Sequence, residues 1–441
     1  MSKELITVRV GLDDTDHPES GCTTHSFNSL LHKLSKIKGV DVLDRMLIRL
    51  WPYATRRTRG NGALSSRLSL PAASKEQFMQ TCSDWFDKLL HDIAEFPQDQ
   101  NSPSPALLIS FGKVPENWYW EAVRGEVGLE NREEEVNSSG ITVFSHPDKW
   151  GIIGASSAIS WNPPSNHSWE LIAWRKPHLI GTKRIVSKDS VMQLSELFAD
   201  TFMNRDPTAD KGIIAPRTPC PVLYGIRGAS KEAVESAHIW MQDVRTNEKC
   251  DLWASHMSNQ LSDDHLSGPS FGTVISEPRV VKGAHASLRV ISDGSGETLV
   301  AFSEGGPVNR LLRQLSPGDL VSWMGLRSPD EAIHLENDNP VHPKIFLSQL
   351  ISEDFTNELR AIMNDVLSGV SDEEPEKLFL GGRTWNIDYK KYELLASESE
   401  YASWLYVWGF CPNHFTVSVN HLSSFNELDD CLLYTSDAAD E

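Results

Sequence analysis

VRVGLDDTDHPESGCTTHSFNSLL, residues 8–31, is the stretch from which the rest of the chain can be read. The apolar run at residues 6–10 has the length and bounding of a buried strand and breaks at Gly11. An acidic loop follows, holding Asp13, Asp14 and Asp16. After Gly21, Cys22, Thr23 and Thr24 the spacing of Phe27, Leu30, Leu31, Leu34 and Ile37 gives a helix with one apolar face. Strand, carboxylate loop and helix N-terminus form a unit with a physical bias toward phosphate. The free N–H groups and the positive end of the dipole lie where the loop carboxylates can hold Mg²⁺. Thr23 and Thr24 stand at the expected N-cap. The same residues are also compatible with an acidic turn capped by Thr.

The chain has 441 residues, enough for two to four domains. Its 39% hydrophobic and 23% charged content suits a soluble globular protein. No run nears the roughly 18 apolar residues of a membrane span. The start, MSKELITVRV, leads into a strand and not a signal peptide, so a cytoplasmic protein without membrane contact is expected. Six scattered cysteines without a C-x-x-C pair argue against a disulfide framework and a Cys-based zinc ribbon within the chain. A formal net charge of −20 disfavours a uniformly basic nucleic-acid-binding surface and leaves local patches to do that work.

Beyond the first helix, residues 46–50 form a second expected strand. Arg56, Arg57 and Arg59 then precede Gly60-Asn61-Gly62. Glycines permit close backbone approach to a ligand and arginines supply fixed positive charge for phosphate. Asn-Gly is equally a hairpin signal. Residues 77–95 read as a helix, 97–105 as a Pro/Ser-rich linker, 106–111 as a strand and 121–136 as an acidic helix. Residues 150–160 form a glycine-containing helix or tight turn, 169–174 a strand and 191–203 an amphipathic helix. A second strand–glycine–helix turn runs from residue 222, with Gly225 and Gly228 around Arg227 and Ser230 as N-cap. Arg227 is expected to face an anion there. Asp263 and His265 are candidates for metal or substrate contact. From residue 271 short strands with one inserted helix suggest a small OB-like barrel.

Together the blocks VGLDDTDHPESGCTTHSF, LIRLWPYATRRTRGNGAL, GIIGASSAI, TPCPVLYGIRG and SNQLSDDHL, followed by the barrel stretch, resemble the archaeal isoleucine-tRNA 2-agmatinylcytidine synthetases (TiaS) over residues 1 to about 336. That resemblance implies an α+β multidomain chain. It divides into a kinase-like ATP-binding α/β domain (1–115), a ferredoxin-like domain (116–266) and an OB-fold (267–336). It implies ATP and Mg²⁺ as cofactors, with agmatine and the minor isoleucine tRNA bearing a CAU anticodon as substrates. The wobble cytidine would be phosphorylated on its C2 oxygen, agmatine would displace the phosphate, and ATP would end as AMP. Asp13, Asp14 and Asp16 match the family's metal–nucleotide loop, Thr23 its autophosphorylated threonine, and Arg59, Gly60, Asn61 and Gly62 its phosphate loop. Asp263 is the carboxylate assigned to agmatine.

The pattern changes past the barrel. The family continues into a zinc ribbon that does not follow here. Residues 341–430 instead resemble a fragment of the Fe(II)-dependent 2-oxoadipate dioxygenase/decarboxylases. His414 matches one iron-binding histidine of that family. The other histidine and the glutamate have no match, and a non-haem iron site needs two His and a carboxylate. Residues 431–441, CLLYTSDAADE, resemble translated sequencing adapter, so the C-terminal quarter is expected to be non-native, a metagenomic chimera. The competing readings are an RNA-modifying ligase, a catalytically impaired nucleotide- and RNA-binding protein lacking the ribbon, and an iron dioxygenase.

Overall fold

The computed structural model describes residues 4–335, less 58–59, 207–210, 263, 267–269, 293–294, 304–306 and 331, together with a short hairpin at 377–380 and 383–386. Arg59, Asp263, His414 and most of the expected dioxygenase-like and adapter-like segments (341–430 and 431–441) lie outside the described residues. The described residues divide into two compact units, the first ending at His265 and the second beginning at Leu266.

In the first unit the elements run β1 (Leu5–Asp13), α1 (Thr23–Leu34), β2 (Asp41–Val42), β3 (Met46–Arg49), β4 (Gly62–Pro71), α2 (Lys75–Ile93), β5 (Ala106–Ser110), α3 (Asn117–Arg124), α4 (Leu129–Ser138), β6 (Thr142–Ser145), α5 (Gly151–Ser160), β7 (Ser168–Arg175), α6 (Lys188–Leu197), β8 (Thr201–Phe202), β9 (Arg205–Asp206), β10 (Lys211–Gly212), β11 (Val222–Gly228), α7 (Lys231–Asp243) and β12 (Cys250–Ser258). One ten-stranded sheet has the order β6-β5-β1-β4-β3-β12-β7-β11-β8, with β2 added on β4.

β1 lies inside this sheet because its alternation buries both faces. Val8, Val10 and Leu12 point into a core shared with Phe27, Leu30, Leu31 and Leu34 of α1 and with Phe78, Trp85 and Phe86 of α2. Each such burial contributes about 1.5–3 kcal/mol. On the opposite face α5 packs against Gly11, and Arg9 donates to the Ile159 carbonyl at 2.7 Å. β5 divides likewise: Leu107 and Ile109 join the α1/α2 core, while Ala106 and Leu108 join Trp118, Ile152, Ala155 and Ile159.

The sequence places a domain boundary after residue 115. The segment beyond it returns to the same sheet, where β6 pairs with β5 from Ala106↔Ser145 to Ile109↔Thr142. Two further readings differ from the structure. The acidic helix expected over 121–136 is two helices, α3 and α4, interrupted at Gly125–Gly128, where Gly125 is fully extended. The helix expected to reach residue 203 ends at Leu197, and residues 201–202 join β11 as an edge strand.

The later part of the unit is an antiparallel arrangement of β12, β7, β11 and β8, with α6 and α7 packed through Leu171, Ala173, Leu223, Ile226, Val234 and Met241. It joins the N-terminal strands where β12 runs parallel to β3, Met257↔Met46 and Ser258↔Leu47. Ser230 caps α7 as its sequence suggests, accepting from the Ala233 N–H at 3.1 Å.

The second unit holds β13 (Ser270–Val274), β14 (Arg279–Val280), β15 (Ala286–Ser292), β16 (Ser295–Ala301), α8 (Pro307–Leu312), β17 (Leu320–Trp323), β18 (Gly325–Arg327) and β19 (Ala332–Leu335). These strands form a seven-stranded sheet around Val274, Leu288, Val290, Leu299, Leu312 and Trp323.

Candidate active site

Asp13 is the last residue of β1 and pairs with Ala106, the first of β5. The chain then turns sharply. Asp14 takes φ 57°, a left-handed conformation in which Asp is among the better-tolerated side chains. A bridge between His17 and Ser20 and a positive φ at Gly21 bring the chain back to α1. Cys22, not a threonine, is the N-cap, and its side chain makes no capping bond. Thr23 and Thr24 therefore occupy the first helical turn.

The two hydroxyls differ in use. Thr23 is buried and donates to Asp16 Oδ1 at 3.0 Å, and the Thr15 N–H reaches its oxygen at 3.4 Å. Thr24 turns the other way. It accepts from the Trp174 indole N–H at 3.1 Å and touches the Cys22 sulfur at 3.0 Å. Thr24 is thus a packing residue, and Thr23 is the hydroxyl held against a carboxylate.

Asp13 and Asp14 crowd one another. Burial, then the neighbouring Asp14 charge, raises the Asp13 carboxyl well above its ordinary range. Burial, then the charge of Asp16, pushes Asp14 up to about 7, opposed by Arg56 and by a hydrogen bond from the Ser104 backbone. A carboxylate pair of this kind is stabilised when a cation or a cation-bearing ligand enters. Even so, among the described residues no group of three or more His, Cys, Asp or Glu is arranged to hold a metal. The three-carboxylate Mg²⁺ cage expected from the sequence is therefore not preformed. Asp16 is engaged with Thr23 instead. The donor chemistry still fits Mg²⁺ carried by phosphates, because that ion commonly takes only one or two carboxylates from the protein.

Behind Asp13 stands α5. A Cβ added at Gly154 would lie 1.9 Å from Asp13 Oδ2 and 2.5 Å from its Cγ, so only glycine admits the carboxylate at this position. Ser104, read from sequence as part of a linker, is fully buried here. Its hydroxyl accepts from the Trp150 N–H at 3.0 Å and its carbonyl from the Gly151 N–H at 2.9 Å, fixing α5 to the acidic loop. Arg56 reaches the same place, donating to the Ser102 carbonyl at 2.9 Å with its guanidinium 5.3 Å from the Trp150 ring centre.

The glycine loop closes the β3–β4 connection. The Gly60 carbonyl accepts from Arg49 at 2.5 Å, Asn61 donates to the Trp51 carbonyl at 2.6 Å, and Gly62 opens β4 opposite Arg49. Arg49 donates from its other amino group to Glu170 at 2.6 Å. Glu170 is buried and also pairs with Arg227 at 3.3 Å. Arg227, expected to face an anion from the Gly225–Gly228 turn, is directed at this internal carboxylate. The SNQLSDDHL motif docks nearby. Asn259 accepts from the Arg49 N–H at 2.7 Å and donates to the Arg49 carbonyl and to Tyr119 Oη, both at 3.0 Å. Tyr119 donates to Asp264 at 2.6 Å. His265 is half-buried at the end of the first unit.

Comparison with known proteins separates this site from other acidic turns. Family models match residues 9–148 (TiaS TCKD domain) and 149–265 (TiaS FLD domain). The isoleucine-tRNA 2-agmatinylcytidine synthetase TiaS of Pyrococcus horikoshii is 32% identical over 360 residues, covering 77% of this chain and 82% of the relative. That of Methanocaldococcus jannaschii is 30% identical over 353 residues, covering 75% and 81%. The chain belongs to the TiaS family. Among solved structures it is similar to the complex of TiaS with its isoleucine tRNA, AMPCPP and agmatine (TM-score 0.64, 26% identity, 75% of this chain and 82% of that one). It is similar also to the complex of TiaS with the same tRNA and ATP (TM-score 0.65, 27% identity, 75% and 80%). The TiaS domain matches meet between β6 and α5, so the glycine that receives Asp13 comes from the second match and the carboxylate from the first. Asp13, Asp14, Asp16 and Thr23 stood out in the sequence. Gly154, Ser104, Arg49, Glu170 and Asn259 did not, although Arg49, Gly154 and Asn259 sit in blocks that resemble the family.

Proposed function

We propose that this chain is an ATP-dependent ligase that joins agmatine to C2 of the wobble cytidine of the minor isoleucine tRNA. The observation that carries the reading is the Thr23 hydroxyl held on Asp16 beside the Asp13–Asp14 pair, in a chain that belongs to the TiaS family. The site residues are Asp13, Asp14, Asp16 and Thr23, with Gly60, Asn61, Gly62 and Arg59 as the phosphate loop. Arg56 adds positive charge at the acidic loop. Asp13 and Asp14 would hold Mg²⁺, which neutralises charge on the phosphates during transfer. A carbonyl oxygen is a poor leaving group. Phosphorylating the C2 oxygen of the cytidine makes it one that the agmatine amine displaces as inorganic phosphate. ATP ends as AMP because water takes up the other phosphoryl group, so two phosphates leave overall.

In this reading residues 9–148 are the kinase-like part, 149–265 the ferredoxin-like part and residues 267–336 an OB-fold, all acting in the cytoplasm. Asp263 and His265 are the proposed agmatine contacts. The solved TiaS complex with tRNA, AMPCPP and agmatine supports agmatine, an ATP analogue and tRNA as ligands of this fold. The test is AMP formation from ATP that requires both agmatine and a CAU-anticodon transcript. Thr23→Ala and Asp14→Ala each abolish it. Turnover that survives in both variants, or that ignores agmatine, defeats the assignment. We further propose that residues 341–430 and 431–441 are foreign to the synthetase, with His414 an orphaned ligand. A long read showing one continuous coding frame onward from residue 441 would overturn that.

A further inference from the structure

On β7 the side chains alternate between two cores. Leu171 and Ala173 pack with α6 and α7. Glu170, Ile172 and Trp174 share the opposite face, and Ile172 and Trp174 enter the core built on β1, α1 and α2. Two polar members of this face, Glu170 and Trp174, each hold one half of the nucleotide site. Glu170 accepts from Arg49, whose other amino group clasps the Gly60 carbonyl of the glycine loop. Trp174 donates to Thr24, the residue after Thr23. The contacts are exacting. Trp174 is 1% exposed and the Glu170 side chain 2%. A Cβ on Gly225 of the adjacent β11 would already stand 3.4 Å from Glu170 Oε1 and 3.3 Å from Ile172 Cδ1.

We infer that β7 is a template strand for catalysis, with Glu170 the positioning residue of the phosphate loop and Trp174 the positioning residue of the Thr23 helix turn. The fork of Arg49 satisfies a loop carbonyl only while its second amino group is held by Glu170. Losing that partner frees the loop to move from the phosphates, which weakens nucleotide binding. The first turn of α1 has no side-chain cap, so its rotation is set by the side chains of Thr23 and Thr24. With Thr24 pinned to the indole, Thr23 faces Asp16. Losing the pin costs alignment of the reacting hydroxyl and leaves nucleotide affinity intact. A misplacement of about 1 Å is enough to slow a transfer by two orders of magnitude. The two ends of one strand thus govern two different kinetic parameters.

This inference rests on the proposed reading of the site. The test uses the full chain and compares Glu170→Gln, Trp174→Phe and, from the opposite face of the strand, Leu171→Val. Calorimetric affinity for a non-hydrolysable ATP analogue and kcat for AMP formation at saturating ATP are read for each, with thermal melting as a control for folding. Glu170→Gln is expected to weaken nucleotide binding about tenfold with kcat within threefold of wild type. Trp174→Phe is expected to leave affinity within twofold and lower kcat at least tenfold. Leu171→Val is expected to lower the melting temperature and change neither parameter. Equal losses in both parameters, losses that track melting temperature in all three variants, or no loss at all overturn the inference. A wild-type chain that neither binds nucleotide nor forms AMP defeats the underlying reading as well, whereas an active wild type without the split defeats this inference alone.

Discussion

Replacing Gly154 with alanine is a small change with a large expected consequence. The new Cβ would stand 1.9 Å from Asp13 Oδ2, where ordinary contact begins at 3.4 Å, so the carboxylate must move by about 1.5 Å. The helix cannot retreat instead. Gly151 is pressed on the Asp13 and Ser104 carbonyls, and the Ser65 hydroxyl and Arg9 guanidinium bind the carbonyls of Ala158 and Ile159 at 2.8 and 2.7 Å. In the proposed reading Asp13 aligns phosphoryl transfer, and a shift above 1 Å in such a group costs about a hundredfold or more in rate. Stability should respond far less. Alanine in a helix interior is favoured over glycine by up to about 1 kcal/mol, which offsets part of the rotamer strain at Asp13. The expected outcome is kcat for AMP formation lowered at least a hundredfold with the melting temperature within about 5 °C of wild type, a shift equivalent to about 1–2 kcal/mol. The assay is agmatine-dependent AMP release followed beside a thermal melt. Turnover within threefold of wild type in a folded Gly154→Ala protein would refute the claim that α5 sets the position of Asp13.

Two further outcomes concern stability. Asn259→Ala removes a side chain that satisfies both the N–H and the carbonyl of Arg49 as well as Tyr119 Oη. Leaving such groups unpaired costs about 1–3 kcal/mol, read as a lowered denaturation midpoint, and no change in midpoint would contradict the contact. His256 is buried among Arg45 and the Glu170 backbone, and burial followed by the Arg45 charge lowers its pKa from 6.5 to about 4. Below pH 6.5 the unfolded chain takes up a proton that the folded chain refuses, so His256 removes stability as pH falls from 6.5 toward 4. The full effect is about 3 kcal/mol and is absent above about pH 7. Urea unfolding at about pH 7.5 and about pH 5 reads it, and His256→Gln should flatten part of the slope.

Much of the N-terminal half was legible in the chain itself. β1 and α1 are short-range patterns: an apolar run ending in carboxylates, then apolar residues three and four apart that need only one face covered. The same locality exposed Asp13, Asp14 and Asp16, and Ser230 as a cap, because each acts within a few residues of its own backbone; Thr23 was preferred to Thr24 only through the resemblance to the family. Residues 97–105 show the limit. Pro and Ser signal a loop, and nothing local says that Ser104 would be buried as the clamp between α5 and Asp14.

What tertiary structure alone decided is which of several equivalent side chains does what. Thr23 and Thr24 are equivalent by local pattern, and the resemblance to the family points to Thr23 without a physical reason. Only the arrival of Trp174, 150 positions later, assigns Thr24 to packing and leaves Thr23 on Asp16. Arg227 beside two glycines carries the signature of an anion site, and only β7 supplies the Glu170 that claims its charge. Gly154 is one glycine in an apolar helix until β1 brings Asp13 against it. The composition and periodicity of the chain determined its strands, helices and acidic loop, because those depend on neighbours in sequence. The roles within the site depend on contacts across more than a hundred residues, where hydrogen-bond geometry and excluded volume choose among side chains that local pattern cannot tell apart.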